Sequence, residues 1–325
     1  MSRLRKCFIH KTLVEVCFRT EEGLPFVATS YMKLVFIGIL AKAQTLYPVT
    51  ICGFVLMANH MHMLIVVKDP ADVDDFVGYI KRESAHAVNH FLGRKKHTIW
   101  CDGYDSPTIL DADKAIDRFV HLYTNPQNAN LVERIEDYPN LSSWNSFSMG
   151  QRSYTCKRVY RDEIRKLPEG RLSLQEQELL AQTLAANSPE VNELTIDPNA
   201  WMPCFNEISG TEAKDVNAIL LERIRAEEER LICERGNKVI GCTALETASM
   251  SKTYSPSKRS KRTACMSSFR DYRVRFLAWY RGLCNQASET YKEWVKGDFS
   301  TYLPPGMFVP GGVLYCNVNP AFAPI

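Results

Sequence analysis

GFVLMANHMHMLIVV, residues 53–67, is an apolar run that carries two histidines one residue apart, His60 and His62. Successive residues of a strand point to opposite sides of its sheet. His60 and His62 therefore share one face, while Met61 and Met63 take the other and face a core. Working outward, VTICGFVLM just before it reads as a partner strand. FIHKTLVEVCFRT (8–20) alternates and is rich in β-formers, which predicts another strand. Leu34, Phe36, Ile37 and Leu40 lie at helical spacing between Tyr31 and Tyr47, and Pro48 ends that helix. DVDDFVGYIKRESAHAVNHFLGRKK (72–96) is an amphipathic helix with Phe76, Ile80, Ala87, Val88 and Phe91 on one side. A short strand or hairpin within WCDGYDSPTIL and a helix over roughly 112–124 follow. The order β-α-β-β-α-β predicts an α+β fold, a ferredoxin-like split βαβ domain over residues 1–150.

Beyond residue 150 the texture changes to a mainly helical C-terminal extension, 151–325. RLSLQEQELLAQTLAA and AKDVNAILLERIRAEEERLICERG read as helices, the second with a solvated face or a helix–helix contact. SMSKTYSPSKRSKRTACMSS (249–268) reads as an exposed basic linker, and FRDYRVRFLAWYRGLCNQASETYKEWVKG as a long helix before a Pro/Gly-rich tail. The composition, 45% hydrophobic and 24% charged over 325 residues, is that of a globular chain. No apolar run reaches the eighteen or so residues that a spanning helix needs. His10, Lys11 and Glu15 interrupt the first apolar segment, which argues against a signal peptide. Eleven scattered cysteines without a C-x-x-C pair argue for free thiols in a reducing cytoplasm, and against both a disulfide framework and a zinc site. Net charge is only +3, and residues 1–150 balance sixteen Lys/Arg against sixteen Asp/Glu. Attraction for nucleic acid must then come from local patches or from the C-terminal half.

Two neutral imidazoles on one strand face can share a divalent cation, with carboxylate or amide oxygens completing the shell. Two half-exposed histidines with no ligand are the plainer alternative. The surroundings are more specific than the pair. GFVLMANHMHMLIVV resembles the His-hydrophobic-His strand of single-tyrosine HUH transposases, particularly the REP-associated tyrosine transposases of the IS200-like superfamily. IWCDGYDSPTIL is similar to the segment preceding that family's catalytic helix. RFVHLYTNPQNANLVERIEDYPNLSSW resembles its Tyr-x-x-x-Asn-Pro helix end and the trailer that follows. The resemblance covers roughly residues 5–150, and EWVKGDFSTYLPPGMFVPG is similar to C-terminal extensions of some longer relatives.

The resemblance implies a metal-dependent DNA strand transferase acting on single-stranded or hairpin DNA through a 5′-phosphotyrosine intermediate. It implies Mg²⁺ or Mn²⁺ held by His60, His62 and Asn125, in a cytoplasmic monomer or homodimer without membrane attachment. A metal would neutralise the phosphate as it becomes five-coordinate, and the covalent step would conserve the ester. The chain departs from the pattern at one position. The family's nucleophilic tyrosine lies four residues before the asparagine, and here that residue is His121. Tyr123, two residues on, is the candidate nucleophile, yet Ile116, Phe119, Val120 and Tyr123 form a core stripe on the same helix. A helix irregularity at Thr124-Asn125-Pro126 would bring Tyr123 to the site. Alternatively the protein binds DNA without cutting it and His121 is an extra metal or phosphate contact, or His121 itself carries phosphate. A metalloenzyme of another kind, such as a hydrolase, is a further reading of H-x-H.

Arg82, Arg94, Lys95 and Lys96 form the best local basic patch for DNA, with Lys258, Arg259, Lys261 and Arg262 of the basic linker as a second. FRDYRVRFLAWYR mixes cations with rings that stack on bases. His86 and His90 lack the glutamate of an H-E-x-x-H motif and read as surface residues. Glu83 and Asp117 are candidate additional oxygens.

Overall fold

The computed structural model describes residues 4–25, 29–167, 172–236, 239–241, 246, 248 and 262–307. Strands β1 (Leu13–Arg19), β2 (Thr50–Leu56), β3 (His60–Val66), β4 (Thr108–Ile109) and β7 (Cys265–Met266) form one sheet in the order β2-β3-β1-β4-β7. Neighbours are antiparallel except β7, which lies parallel to β4. Helices α1 (Ser30–Leu46) and α2 (Pro70–Phe91) complete the expected β-α-β-β-α-β order, and α3 (Ala112–Asn128) follows β4. Each helix starts on a side-chain cap: Thr29 accepts from Met32 N, Asp69 from Ala71 N and Asp111 from Lys114 N. Such caps satisfy amide donors left open by the first turn.

Alternation in the strands sorts the two layers. Val14, Val16 and Phe18 of β1 and Met61, Met63 and Ile65 of β3 join α1 and α2 in one apolar core. Leu13 and Leu64 point to the other side, where Phe119, Leu122 and Tyr123 of α3 cover them. His60 and His62 lie on this second face. Helix α3 comes close to β2 because Gly53 has no side chain. A Cβ there would stand 3.1 Å from Leu122 Cδ2 and 3.2 Å from Phe119 Cε1.

Helix α3 does not stop at residue 124. It runs without a break through Pro126 to Asn128. Proline forfeits one backbone bond, and the burial of Pro126 and Gln127 holds the last turn in place.

Residues after 150 build onto the same two cores. Strands β5 (Ser153–Lys157) and β6 (Val191–Thr195) pair into a second sheet, and Cys156, Ile164, Leu184 and Leu194 enter the α1–α2 core. At Gly38 of α1 a Cβ would stand 2.1 Å from Lys157 O, so that helix meets β5 backbone to side-chain-free backbone. Between the strands lies α5 (Leu174–Asn187), preceded by the short α4 (Trp144–Ser148). Helix α6 (Ala213–Arg235) inserts Val216, Leu220 and Ile224 into the α3 core. Its fully buried Glu228 accepts from Gln127 Nε2 at 2.7 Å, Ile135 N at 3.0 Å and Arg225 Nη1 at 2.6 Å. The charged helix is thus a helix–helix contact. The extension also contains strands, and the end of the segment read as an exposed linker forms β7. From there α7 (Arg270–Val295) packs Tyr280, Leu283 and Trp294 into a smaller cluster with Cys7 and Leu303.

Candidate functional site

Register decides what surrounds the two histidines. In the β1–β3 pair, Arg19 is opposite His60, Cys17 opposite His62 and Glu15 opposite Leu64. Glu15, Cys17 and Arg19 therefore line the same face as the histidines, a polar stripe on an otherwise buried strand. Helix α3 crosses that face with Arg118, His121 and Asn125, spaced i, i+3, i+7 on one side of the helix.

Glu15 organises the cluster. It is 4% exposed and accepts from Arg118 Nε and Nη2, each at 2.7 Å, and from His62 Nδ1 at 2.9 Å. Burial works to raise its pKa, but the His62 hydrogen bond and the Arg118 charge outweigh it and hold the carboxyl at about 2. His60 Nδ1 lies 2.8 Å from Asn59 Oδ1. Asn59 Nδ2 donates to Gly23 O, which fixes the amide with its oxygen toward the ring. Both histidines thus present Nδ1 to an oxygen acceptor, the arrangement that fixes the tautomer of metal-binding imidazoles and leaves Nε2 as the ligand atom. The Asn125 side chain is close enough to His60 to work against the lowering of its pKa, and the His121 ring stands 5.6 Å from that of His62, centroid to centroid. Of the residues predicted for the metal, His60, His62 and Asn125 come together, and His121 joins them.

The three imidazoles differ in charge. Burial, and then the neighbouring His62, push His60 down to about 3. Burial and the Arg118 charge bring His121 to about 4. Burial works against a proton on His62 too, but Cys17 and Glu15 overcome it and raise that ring to about 10. Two imidazoles and an amide oxygen suit a divalent ion. Among the described residues, no three His, Cys, Asp or Glu side chains already converge in a ligand geometry.

Tyr123 is not at the site. Its side chain is fully buried, edge-on to Trp144 and stacked on Phe147 with centroids at 5.2 and 5.6 Å. Its hydroxyl lies 3.0 Å from Ser143 Oγ. Ser143 spends its own proton on Phe54 O and accepts from Phe54 N, so Tyr123 is the donor. Burial pushes its pKa well above the ordinary phenol value. The continuous α3 removes the irregularity that would have turned this ring outward, and Tyr123 stays in the core.

The remaining predicted residues scatter. Arg82 is exposed on α2, across the sheet from the histidines, with its guanidinium over Tyr79 and 3.3 Å from Glu83. Lys95 and Lys96 are exposed and Arg94 partly so, in the loop after α2. Arg262 pairs with Asp105 at 2.9 Å, and Lys258, Arg259 and Lys261 lie outside the described residues. Glu83 is bound to Arg158, and Asp117 to Lys114 and Arg223; neither reaches the histidines. The carboxylate that does, Glu15, was legible as the odd residue of LVEVCFR, and Cys17 two positions on belongs to the same stripe.

Residues 14–127 match the family model described as "Transposase IS200 like", a span that contains Glu15, His60, His62, His121 and Asn125. None of the curated proteins matches the chain. Among solved structures it is similar to one described as "Structure of the REP associates tyrosine transposase bound to a REP hairpin". That similarity is 19% in identity with a TM-score of 0.41, and it covers 46% of this chain and 86% of the other. Among the described residues, no helix is long and apolar enough to cross a membrane.

Proposed function

We propose, from the premise that residues 14–127 are an IS200-like transposase domain, that the protein binds single-stranded or hairpin DNA at the His60–His62 face without forming a phosphotyrosine link at Tyr123. The family match over the histidine strand and α3 carries the reading. The burial of Tyr123 beside Ser143, with His121 in the position four residues before Asn125, supports recognition without cleavage over strand transfer. His60, His62 and Asn125 would hold a divalent cation, Mg²⁺ or Mn²⁺ by family resemblance. Such an ion supplies charge neutralisation at a backbone phosphate. Glu15 keeps His62 oriented, Arg118 keeps Glu15 ionised, and His121 lines the same face as a further contact. Exposed Lys95 and Lys96, with the basic segment around Arg262, would add non-specific attraction that weakens with salt. The protein would work as a cytoplasmic monomer or homodimer.

Labelled hairpin and single-stranded oligonucleotides test this in two measurements. Polarisation is expected to show binding to both above a blunt duplex, and the affinity to fall as salt rises. Suicide substrates with Mn²⁺ or Mg²⁺ are expected to leave no covalent adduct. An adduct mapped to Tyr123 overturns the non-cleaving reading, and failure to prefer hairpin or single strand overturns the DNA reading.

A further inference from the structure

The residue facing His62 across the sheet is a cysteine, and its thiol meets the ring nitrogen that the site leaves for a ligand. Cys17 exchanges both backbone bonds with Asp105 on its other side, N to O at 2.9 Å and O to N at 2.8 Å. Cys17 and His62 are therefore a non-hydrogen-bonded antiparallel pair, the kind with the closer side chains. Cys17 Sγ stands 3.7 Å from His62 Nε2. With Zn–S near 2.3 Å and Zn–N near 2.0–2.1 Å, two ligands at a tetrahedral angle sit about 3.6 Å apart. The observed separation, that of a thiol–imidazole hydrogen bond, is close to that value. His62 Nδ1 is already held by Glu15 at 2.9 Å, the outer-sphere contact typical of zinc-binding histidine.

We propose that Cys17 is a ligand of the cation at the histidine pair, so that the site takes a zinc-class ion in preference to Mg²⁺. The inference rests on the reading that His60 and His62 hold a cation, and it changes which cation. A thiolate beside imidazoles selects borderline and soft ions, whereas Mg²⁺ demands oxygen ligands. Binding breaks the S–H bond, forms a sulfur–metal bond and releases the proton to solvent. Cys17 and His62 form the preplaced edge. His60, whose ring lies 5.2 Å from that of His62, and Asn125 or His121 complete the shell by turning inward.

Co²⁺ alone, titrated into the full chain without DNA, reads the assignment. A thiolate-to-cobalt charge-transfer absorption is expected in the wild type and is expected to vanish in Cys17→Ser. Cobalt affinity in that variant should fall by about tenfold or more. Zn²⁺ should displace Co²⁺, and equimolar Mg²⁺ should not. Absence of the band, its persistence unchanged in Cys17→Ser, or equal affinity for Mg²⁺ and Zn²⁺ overturns the proposal and leaves the 3.7 Å contact as a hydrogen bond only. Should Cys17→Ser fail to fold, alkylation of the wild type followed by peptide mapping decides. Zn²⁺ is expected to protect Cys17, and unchanged labelling overturns the proposal. Hairpin binding measured on the same preparation without added metal keeps the two readings apart. Its loss defeats the DNA reading and leaves the cobalt spectrum standing.

Discussion

The two faces of the β1–β3 pair are built from alternate residues of the same strands, yet they obey different rules. On the α1–α2 face, Val14, Val16, Phe18, Met61, Met63 and Ile65 are at most 3% exposed and need only volume and apolarity. On the α3 face, Glu15 is buried, Cys17, His60 and His62 are partly buried, and each has a polar partner. Burial drives the first face. The second survives burial because its polar groups satisfy one another, since an ionised group buried without a partner is costly. A sheet can therefore keep a chemical site at its centre if one helix brings the counter-charges, which is what Arg118 of α3 does.

Four substitutions break or sharpen that contrast. The largest effect is expected from His121→Tyr, which sets a phenol beside His62 and four residues before Asn125. A suicide hairpin substrate with a divalent metal should pass from no adduct to a covalent one, and continued absence of adduct would show that more than this residue separates the site from strand transfer. Arg118→Ala should cost about 3–5 kcal/mol, because it removes the charged partner of a buried carboxylate and leaves it only the His62 hydrogen bond. Urea denaturation measures it, and pairing the change with Glu15→Gln should recover part of the loss. On the apolar face, Met63→Ala should cost about 2–5 kcal/mol through a cavity while oligonucleotide affinity per folded molecule stays unchanged. Tyr123→Phe removes one neutral hydrogen bond and should cost about 0.5–1.5 kcal/mol. Ser143 keeps both of its Phe54 partners, so hairpin binding should not move. A large fall in binding would bring Tyr123 back to the site.

Much of this was legible from periodicity. Alternation sends His60 and His62 to one side and Met61 and Met63 to the other, and the structure has them so. The i, i+3, i+7 stripe of Ile116, Phe119 and Tyr123 marked the tyrosine as packed, and its full burial agrees. Arg118 is silent in the sequence because a single arginine on a helix carries no local sign of the carboxylate that it will meet, which lies 103 residues away. By sequence Cys17 is one thiol among eleven. The C-x-x-C test concerns residues close in sequence and carries no information about a cysteine and a histidine brought side by side by two strands. The segment 249–268 read as exposed because its basic residues dominate its composition, while two of its last residues, Cys265 and Met266, supply a sheet edge.

By itself, then, the sequence determined the element order, the shared face of the two histidines and the histidine four places before Asn125. These follow from covalent geometry and the periods of strand and helix, which act over a few residues. Only the tertiary structure decided that Cys17 stands against His62, that Glu15 reaches the same ring, that Arg118 answers Glu15, that α6 packs into the α3 core and that β7 extends the sheet beside β4. Those contacts depend on strand register and helix docking. Both are set by packing across the whole sheet, including the shift between Ile51 and Gly53 in β2 and the close approach of α3 at Gly53, and no local period encodes them.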